Sequence, residues 1–169
     1  MQKETANPGS READAANRAR AAWLRILALT QSDALDAAYS RLLEAATPPT
    51  YRLLRKPESG MAMVRARAGG TGVQFNLGEM SVTRCAVVLD AVEGQAATAG
   101  VSYVQGRGTR HAEQAAVLDA LLQRPTWHQR VQDTVIAPLS QALDAHAAHQ
   151  AATAAQTRVE FFTMARGED

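Results

Sequence analysis

The spacing of apolar residues near the N-terminus predicts two helices. Trp23 and Leu27 fall on one apolar stripe of a helix that extends over about residues 11–29. Ser32 is typical of an N-cap and predicts the start of a second helix, which ends before Pro48. The chain is therefore expected to begin its folded part with a helix pair.

The middle of the chain changes to short apolar runs, most of them set off by glycine or proline. The runs are Tyr51–Lys56, Met61–Arg67, Val73–Leu77, Met80–Leu89 and Val101–Gln105. Val73, Phe75 and Leu77 alternate cleanly with polar residues, which is typical of a strand. Because no ten-residue helical pattern separates the runs, they predict an antiparallel meander of four or five strands.

Helical spacing returns after the predicted sheet. It covers residues 109–124, then about 127–136, and then an Ala-rich stretch from Pro138 to about Thr157. The predicted fold is therefore α+β, an antiparallel sheet of four to five strands flanked by N-terminal and C-terminal helices. Residues 1–10 show no periodicity and are predicted to be a disordered leader to a single domain over 11–169.

Composition narrows the class of protein. A length of 169 residues suits one domain, and 18 Lys+Arg against 17 Asp+Glu argue against a nucleic-acid binder that works by bulk charge. Cys85 is the one cysteine, which excludes a disulfide framework or a multi-thiolate metal site within the chain. The sequence shows neither an apolar run long enough to span a bilayer nor a secretory signal at its start. These features predict a cytoplasmic protein that binds no membrane and no nucleic acid.

The densest glycine cluster contains Gly69, Gly70 and Gly72. Glycines allow backbone N–H groups to turn toward an anion, so this cluster is a candidate phosphate-binding nest. It lacks the Lys-Ser/Thr ending of a Walker loop, and a strand rather than a helix follows it. The alternative interpretation is a hairpin turn that needs positive φ.

A second candidate lies where the last strand meets the next helix. Arg107, Arg110 and His111 lie within five residues there, and Thr109 is positioned to cap the helix. The helix N-terminus and the two arginines predict a phosphate or phosphonate site. The alternative is a capped helix with solvated arginines, or an arginine that pairs with a carboxylate such as Glu113.

No catalytic or metal-binding motif is complete. His111-Ala-Glu113 matches half of the zinc deaminase signature, but the cysteine pair that would complete it is missing. His146 and His149 have no evident third ligand. The sequence therefore identifies no catalytic residue and predicts no bound metal.

The C-terminal segment is unusually apolar for a chain end. Phe161, Phe162 and Met164 cluster there, and the first two are two of the three phenylalanines in the chain. Such a cluster is expected to be buried, either as a strand added to the chain's own sheet or as a docking segment for a partner.

Taken together, several stretches resemble the PhnG family, whose members are components of the bacterial carbon–phosphorus lyase system. They are RAGGTGVQFNLGE (67–79), Thr83-Arg84, SYVQGRGTRHAE (102–113), IAPL (136–139) and VEFFTMARGED (159–169). Each motif alone is weak, but five in the right order are specific. The similarity covers roughly residues 20–169.

This resemblance implies membership of a core complex, together with its H, I and J subunits, in phosphonate catabolism. The complex displaces adenine from MgATP and joins methylphosphonate to ribose C1′, which gives α-D-ribose 1-methylphosphonate 5-triphosphate. In this family of systems the nucleosidase chemistry is attributed to the I component and the radical C–P cleavage to the J component, while the PhnG protein supports the first step. The chain is then expected to hold no cofactor alone and to be an enzyme only as part of this transferase, for which MgATP is a substrate.

A competing hypothesis needs no partner. The chain would be a stand-alone phosphate- or nucleotide-binding protein whose pocket combines the glycine cluster with the Arg107–Glu113 segment. The state of the isolated chain separates the two hypotheses, since only the competing one predicts a stable monomer that binds ATP.

Overall fold

The computed structural model describes residues 8–156, with side chains from residue 12, and it has the predicted α+β class. The elements are α1 (Pro8–Leu29), α2 (Ser32–Ala45), β1 (Tyr51–Arg67), β2 (Gln74–Leu89), β3 (Thr98–Gln105), α3 (Thr109–Leu122), α4 (Pro125–Val131) and α5 (Ala137–Gln156). In this part of the chain no helix is both long and apolar enough to cross a membrane.

Within residues 8–156 the sheet has three antiparallel strands in the order β1-β2-β3, so for this part of the chain the prediction of four to five strands was too high. The first four apolar runs merge in pairs into β1 and β2, because the glycine and proline between them do not end the strands. Pro57 lies on an edge strand, where its missing N–H costs no ladder bond, and the register shifts between Arg55 and Glu58 to accommodate it. Gly78 simply pairs with Val64.

Helix α3 is the centre of the core. It packs on β2 and β3 with one side and on α1, α2 and α4 with others, so that most of its residues are buried. The apolar residues that recur at helical spacing in α3 are buried: Ala112, Ala115, Ala116, Leu118, Leu121 and Leu122. Gly100 of β3 allows the closest approach, since a Cβ built there would overlap the carbonyl oxygen of Ala116.

A buried carboxylate joins three elements around α3. Asp119 is fully buried, and its two oxygens accept hydrogen bonds from Arg20 (Nη2, 2.7 Å), the Trp23 indole (2.9 Å) and the backbone N–H of Val101 (2.9 Å). Because these donors come from α1 and β3, Asp119 fixes both elements against α3. Burial of a charge is tolerated here because the carboxylate is fully hydrogen-bonded.

The loop between β2 and β3 is held by a buried arginine that follows α3. Arg124 is 2% exposed, and its Nη2 donates to the carbonyl oxygens of Asp90 (2.7 Å) and Leu89 (3.2 Å). Its Nε donates to the hydroxyl of Thr98 at 3.1 Å. One side chain thus ties both ends of the loop to the end of α3.

The last helices form one nearly continuous rod. The sequence predicts a restart at Pro138, but the break takes the form of a π-helical turn over Gln132–Ile136, just ahead of α5. A proline has no N–H to donate, and a π-turn before it relieves the clash with the preceding carbonyl. Beyond Leu139 the residues of α5 are almost all exposed.

The chain ends and two caps differ from expectation. Helix α1 begins at Pro8, so the last three residues of the predicted leader are helical, whereas residues 1–7 lie outside the described part. Ser32 and Thr109 are the first residues of their helices rather than N-caps, and neither helix has a side-chain cap bond. The predicted apolar cluster of Phe161, Phe162 and Met164 also lies outside the described residues.

Candidate functional site

A cleft with a volume of about 610 Å³ lies between β1, α2 and the first turns of α3. This volume is in the range of small-molecule sites. The lining residues are Tyr39, Tyr51, Leu53, Lys56, Pro57, Thr109, Arg110, Glu113 and Gln114. One of the predicted arginines, Arg110, is therefore part of the cleft.

Arg110 is held by an ion pair at the cleft. Its Nε and Nη2 donate to Oδ1 of Asp36 at 2.9 and 2.5 Å, and Gln114 donates to the same oxygen at 2.7 Å. The hydrogen bond from Gln114, together with that from Arg110, lowers the pKa of Asp36. The expected alternative of an arginine–carboxylate pair is present, but with Asp36 of α2 rather than Glu113. Among the described residues nothing accepts from Nη1 of Arg110, so this group can still donate to a ligand.

Glu113 instead interacts with the two tyrosines of the cleft. The hydroxyl of Tyr51 donates to its Oε1 at 2.7 Å. Burial, this hydrogen bond and the charge of Glu113 raise the pKa of Tyr51, and burial with the same charge raises the pKa of Tyr39. Both phenols therefore remain hydrogen-bond donors throughout the physiological pH range.

The one cysteine of the chain lies in β2. Cys85 is buried, and its thiol donates to the carbonyl oxygen of Arg55 at 3.4 Å. Burial, and next the charge of Glu113, raise its pKa to about 11. A thiol in this setting is a poor nucleophile at neutral pH, because the thiolate is the reactive form.

His111 occupies a structural position rather than the cleft. It is 8% exposed, with Nε2 at 2.7 Å from the carbonyl oxygen of Leu27 and Nδ1 at 3.1 Å from the hydroxyl of Ser32. Because a carbonyl only accepts, Nε2 donates to Leu27, while Nδ1 and the Ser32 hydroxyl share a hydrogen bond. Both nitrogens are engaged, so the imidazole links the α1–α2 corner to the start of α3.

Arg107 is exposed in the β3–α3 loop and makes no ion pair among the described residues. Gly106 before it has a φ of 90° and donates its N–H to the carbonyl oxygen of Ser81 at 2.8 Å. This glycine therefore serves the turn. Arg107 lies two residues ahead of Thr109, which lines the cleft.

The glycine cluster forms the turn between β1 and β2. Gly69 and Gly70 have φ values of 59° and 79°, and the N–H of Gly72 donates to the carbonyl oxygen of Ala68 at 2.8 Å. The geometry is that of the expected hairpin turn.

The two glycine–arginine segments are far apart. The last β2–β3 pair joins Val82, in the middle of β2, to Gln105, whereas Gln74, next to the turn, is the first residue of β2 and lies eight residues before Val82. Eight strand residues span roughly 25 Å. One pocket built from both segments, as the stand-alone binding hypothesis requires, is not the arrangement of this fold.

Sequence reasoning overlooked Tyr39, Tyr51 and Lys56 as members of the cleft, and Asp36 as the partner of Arg110. The sequence indicated Tyr51 and Lys56 only as the ends of a predicted strand. No local sequence pattern marks these residues, because they come together only when α2, β1 and α3 pack against one another.

Comparison with known proteins agrees with the resemblance in the motifs. The family model for "Phosphonate metabolism protein PhnG" matches residues 18–167. The alpha-D-ribose 1-methylphosphonate 5-triphosphate synthase subunit PhnG of Rhizobium meliloti (strain 1021) is 35% identical over 156 residues, which cover 92% of this chain and 94% of the relative.

Proposed function

Because this chain belongs to the PhnG family of phosphonate metabolism proteins, we propose that it is one subunit of a cytoplasmic α-D-ribose 1-methylphosphonate 5-triphosphate synthase. In this proposal it joins the H, I and J subunits of the carbon–phosphorus lyase core complex. The complex releases adenine from MgATP and transfers methylphosphonate to ribose C1′. The relative named as part of this synthase, similar over nearly its whole length, is the observation that carries the proposal.

The cleft is the part of this chain assigned to the anionic substrate. Arg110 is fixed by Asp36 with Nη1 unused, and Lys56 lines the same space. A guanidinium is suited to phosphate oxygens because its N–H groups form a planar fork. Arg107, exposed just before α3, is placed as a second phosphate contact of the assembled complex.

The charges of the cleft support a shared site rather than a complete one. Glu113 lines the cleft together with Arg110 and Lys56. The net positive charge of the cleft is therefore too small for this chain alone to hold a triphosphate. In this proposal His111 fixes the start of α3, and Gly69, Gly70 and Gly72 form the turn between β1 and β2. The remaining groups of the site are assigned to the partner proteins.

Substitution of the arginines by lysine tests this assignment. Lysine keeps the charge but removes the fork, so adenine release from MgATP plus methylphosphonate should fall by about tenfold or more in the Arg107→Lys and Arg110→Lys complexes. Arg25→Lys, at an exposed position of α1, is the matched control. Assembly is checked separately by mass measurement.

Asp36→Asn separates substrate contact from ion pairing. If Arg110 acts only as the partner of Asp36, then Asp36→Asn and Arg110→Lys should reduce turnover equally. The proposal predicts a much smaller loss for Asp36→Asn, because the guanidinium remains. Full activity of both lysine complexes would remove the arginines from the reaction and leave membership of the complex untouched.

The apolar C-terminal cluster remains assigned to partner docking in this proposal. Phe161→Ala combined with Phe162→Ala should sharply lower the yield of complex in a pull-down. Assembly equal to wild type would contradict the assignment.

A further inference from the structure

The hairpin of β1 and β2 projects beyond the rest of the sheet. β3 pairs with β2 only over residues 82–89, so residues 61–81 form a two-stranded ribbon with a turn at its tip. We refer to residues 61–81 as the arm. None of its residues is buried, although isolated two-stranded ribbons are marginally stable in water.

The arm exposes several large apolar side chains. Its exposed large apolar side chains are Met61, Met63, Val73, Phe75 and Leu77, which are 46–87% exposed. Met61 and Met63 share one face of the ribbon, and Phe75, opposite Ala66, lies on the other face. Large apolar side chains exposed on both faces of one short ribbon are typical of a protein–protein contact.

The charges on the arm differ from those at its base. At the base, Glu58 accepts from Arg55 at 2.6 Å and from Arg84 at 2.7 Å, so these two arginines share one carboxylate. On the arm, Arg65 and Arg67 have no carboxylate partner among the described residues, and Arg67 donates only to the carbonyl oxygen of Gly72. The outer part of the arm therefore presents apolar side chains next to unpaired positive charge.

We propose that the arm inserts into an apolar groove with an acidic rim on a different protein of the synthase. The inference rests on the proposed function and adds the docking surface to it. The ribbon is about 25 Å long, and a groove that covers three of its sides would bury roughly 750 Å² of it, close to the ≈ 800 Å² per partner of a standard interface. Acidic groups at the rim would complement Arg65 and Arg67.

The same charges disfavour two other occupants. A second copy of the chain would bring its own Arg65 and Arg67 to an arm–arm contact, so that like charges would meet. The arm carries two arginines and Glu79, which is too little positive charge to bind the phosphate backbone of a nucleic acid. A bound nucleic acid would also leave the apolar side chains exposed to water. Both occupants are outcomes that the experiment can detect.

Two double variants test the surface by its apolar and its charged component. Met63→Gln with Leu77→Gln, and Arg65→Glu with Arg67→Glu, should each weaken binding to the purified partner proteins by about tenfold or more. The loss for the charge-reversed pair should shrink at high salt. Val92→Gln and Arg25→Glu, at exposed positions away from the arm, are the matched controls and should bind as wild type.

Folding is monitored on the isolated variants. Because none of the altered side chains is buried, their melting temperatures should equal that of the wild-type chain. Variants that melt as wild type and still assemble with unchanged affinity would overturn the docking surface.

Cross-linking identifies the occupant directly. A photo-crosslinking amino acid in place of Phe75 should attach to a different protein of the reconstituted complex, in a peptide rich in apolar and acidic residues. Attachment to a second copy or to nucleic acid, or the absence of any attachment in the assembled complex, would overturn the inference. If wild-type chain fails to bind the other proteins at all, the proposed function fails; if it binds and only the arm is dispensable, the proposed function stands.

Discussion

Helix α3 and the arm contain similar proportions of apolar residues but use them in opposite ways. Most residues of α3 are buried, including Gln114 and Asp119, whereas none of residues 61–81 is. The helix packs against all three strands of the sheet and against α1, α2 and α4, while the two strands of the arm pair with each other. The stability of the isolated chain is therefore expected to reside around α3, and the apolar residues of the arm are available to another surface.

The contrast also holds for backbone packing. In β3, Gly100 lies so close to α3 that a Cβ would meet Ala116 and Ala120, whereas nothing lies within 4 Å of a Cβ built at Gly78 of the arm. A glycine in a strand is thus a requirement of packing in one region and a free position in the other. Substitutions that probe the two regions should differ in sign as well as in size.

The largest expected effect is the loss of the buried carboxylate. Asp119→Ala leaves the Trp23 indole, the Val101 N–H and Arg20 without their acceptor, and should lower the free energy of unfolding by about 3–5 kcal/mol. Urea unfolding followed by circular dichroism measures the change. Asp133→Ala, which removes an exposed hydrogen bond from Gln129, is the control, with an expected change of about 0.5 kcal/mol or less. Equal effects would refute the concentration of stability around α3.

The glycine pair gives the next largest difference. Gly100→Ala should destabilise the chain by about 2–3 kcal/mol, because the added methyl group forces β3 away from α3. Gly78→Ala should instead stabilise it by about 0.5 kcal/mol, since alanine restricts the unfolded chain and meets no atom in the arm. Thermal melts of both variants check the signs, and a stable Gly100→Ala chain would show that the close packing is not as tight as described.

The helical parts of this fold follow from local pattern, but the extent of the sheet does not. The inward positions of α3 are predictable because apolar residues recur at helical spacing and the helix packs on that stripe. The strands were predicted too short, since Pro57 and Gly78 lie where an edge strand and an open arm tolerate them. Whether a proline falls on an edge depends on strand order, which local pattern does not contain.

The sequence does indicate that a polar residue is buried in α3. Asp119 lies four residues after Ala115 and three before Leu122, so helical geometry puts it on the buried stripe. A carboxylate at such a position implies buried donors. Their identities could not be predicted, because Arg20 and Trp23 are distant in sequence.

The candidate site was predicted only in part for the same reason. Arg110 was expected at a substrate site from the strand–helix junction, and it does line the cleft. Its partner Asp36 and the tyrosines come from other elements. The glycine cluster was grouped with the arginines because both suit phosphate, but distance along β2 separates them.

The last expected effect is a difference in the response of the two regions to alkaline pH. The pKa of Cys85 is raised to about 11 from an ordinary value of 9.0, and the pKa of Tyr51 is raised as well, so both groups keep their protons in the folded chain after the unfolded chain has lost them. Over this range the unfolded state binds fewer protons than the folded one, and stability must fall as pH rises. The contribution is complete below about pH 9 and is lost as pH rises toward 11.

Urea unfolding at about pH 8.5 and about pH 10.5 measures this loss as a shift of the midpoint. Cys85→Ala and Tyr51→Phe should each show a smaller shift than wild type, because each removes one group that titrates differently in the two states. The variant with Met63→Gln and Leu77→Gln, confined to the arm, should shift as wild type does. If the arm variant alone reduced the shift, the titrating groups would have to be sought near the arm, and the assignment of alkaline sensitivity to the packed side of the molecule would be wrong.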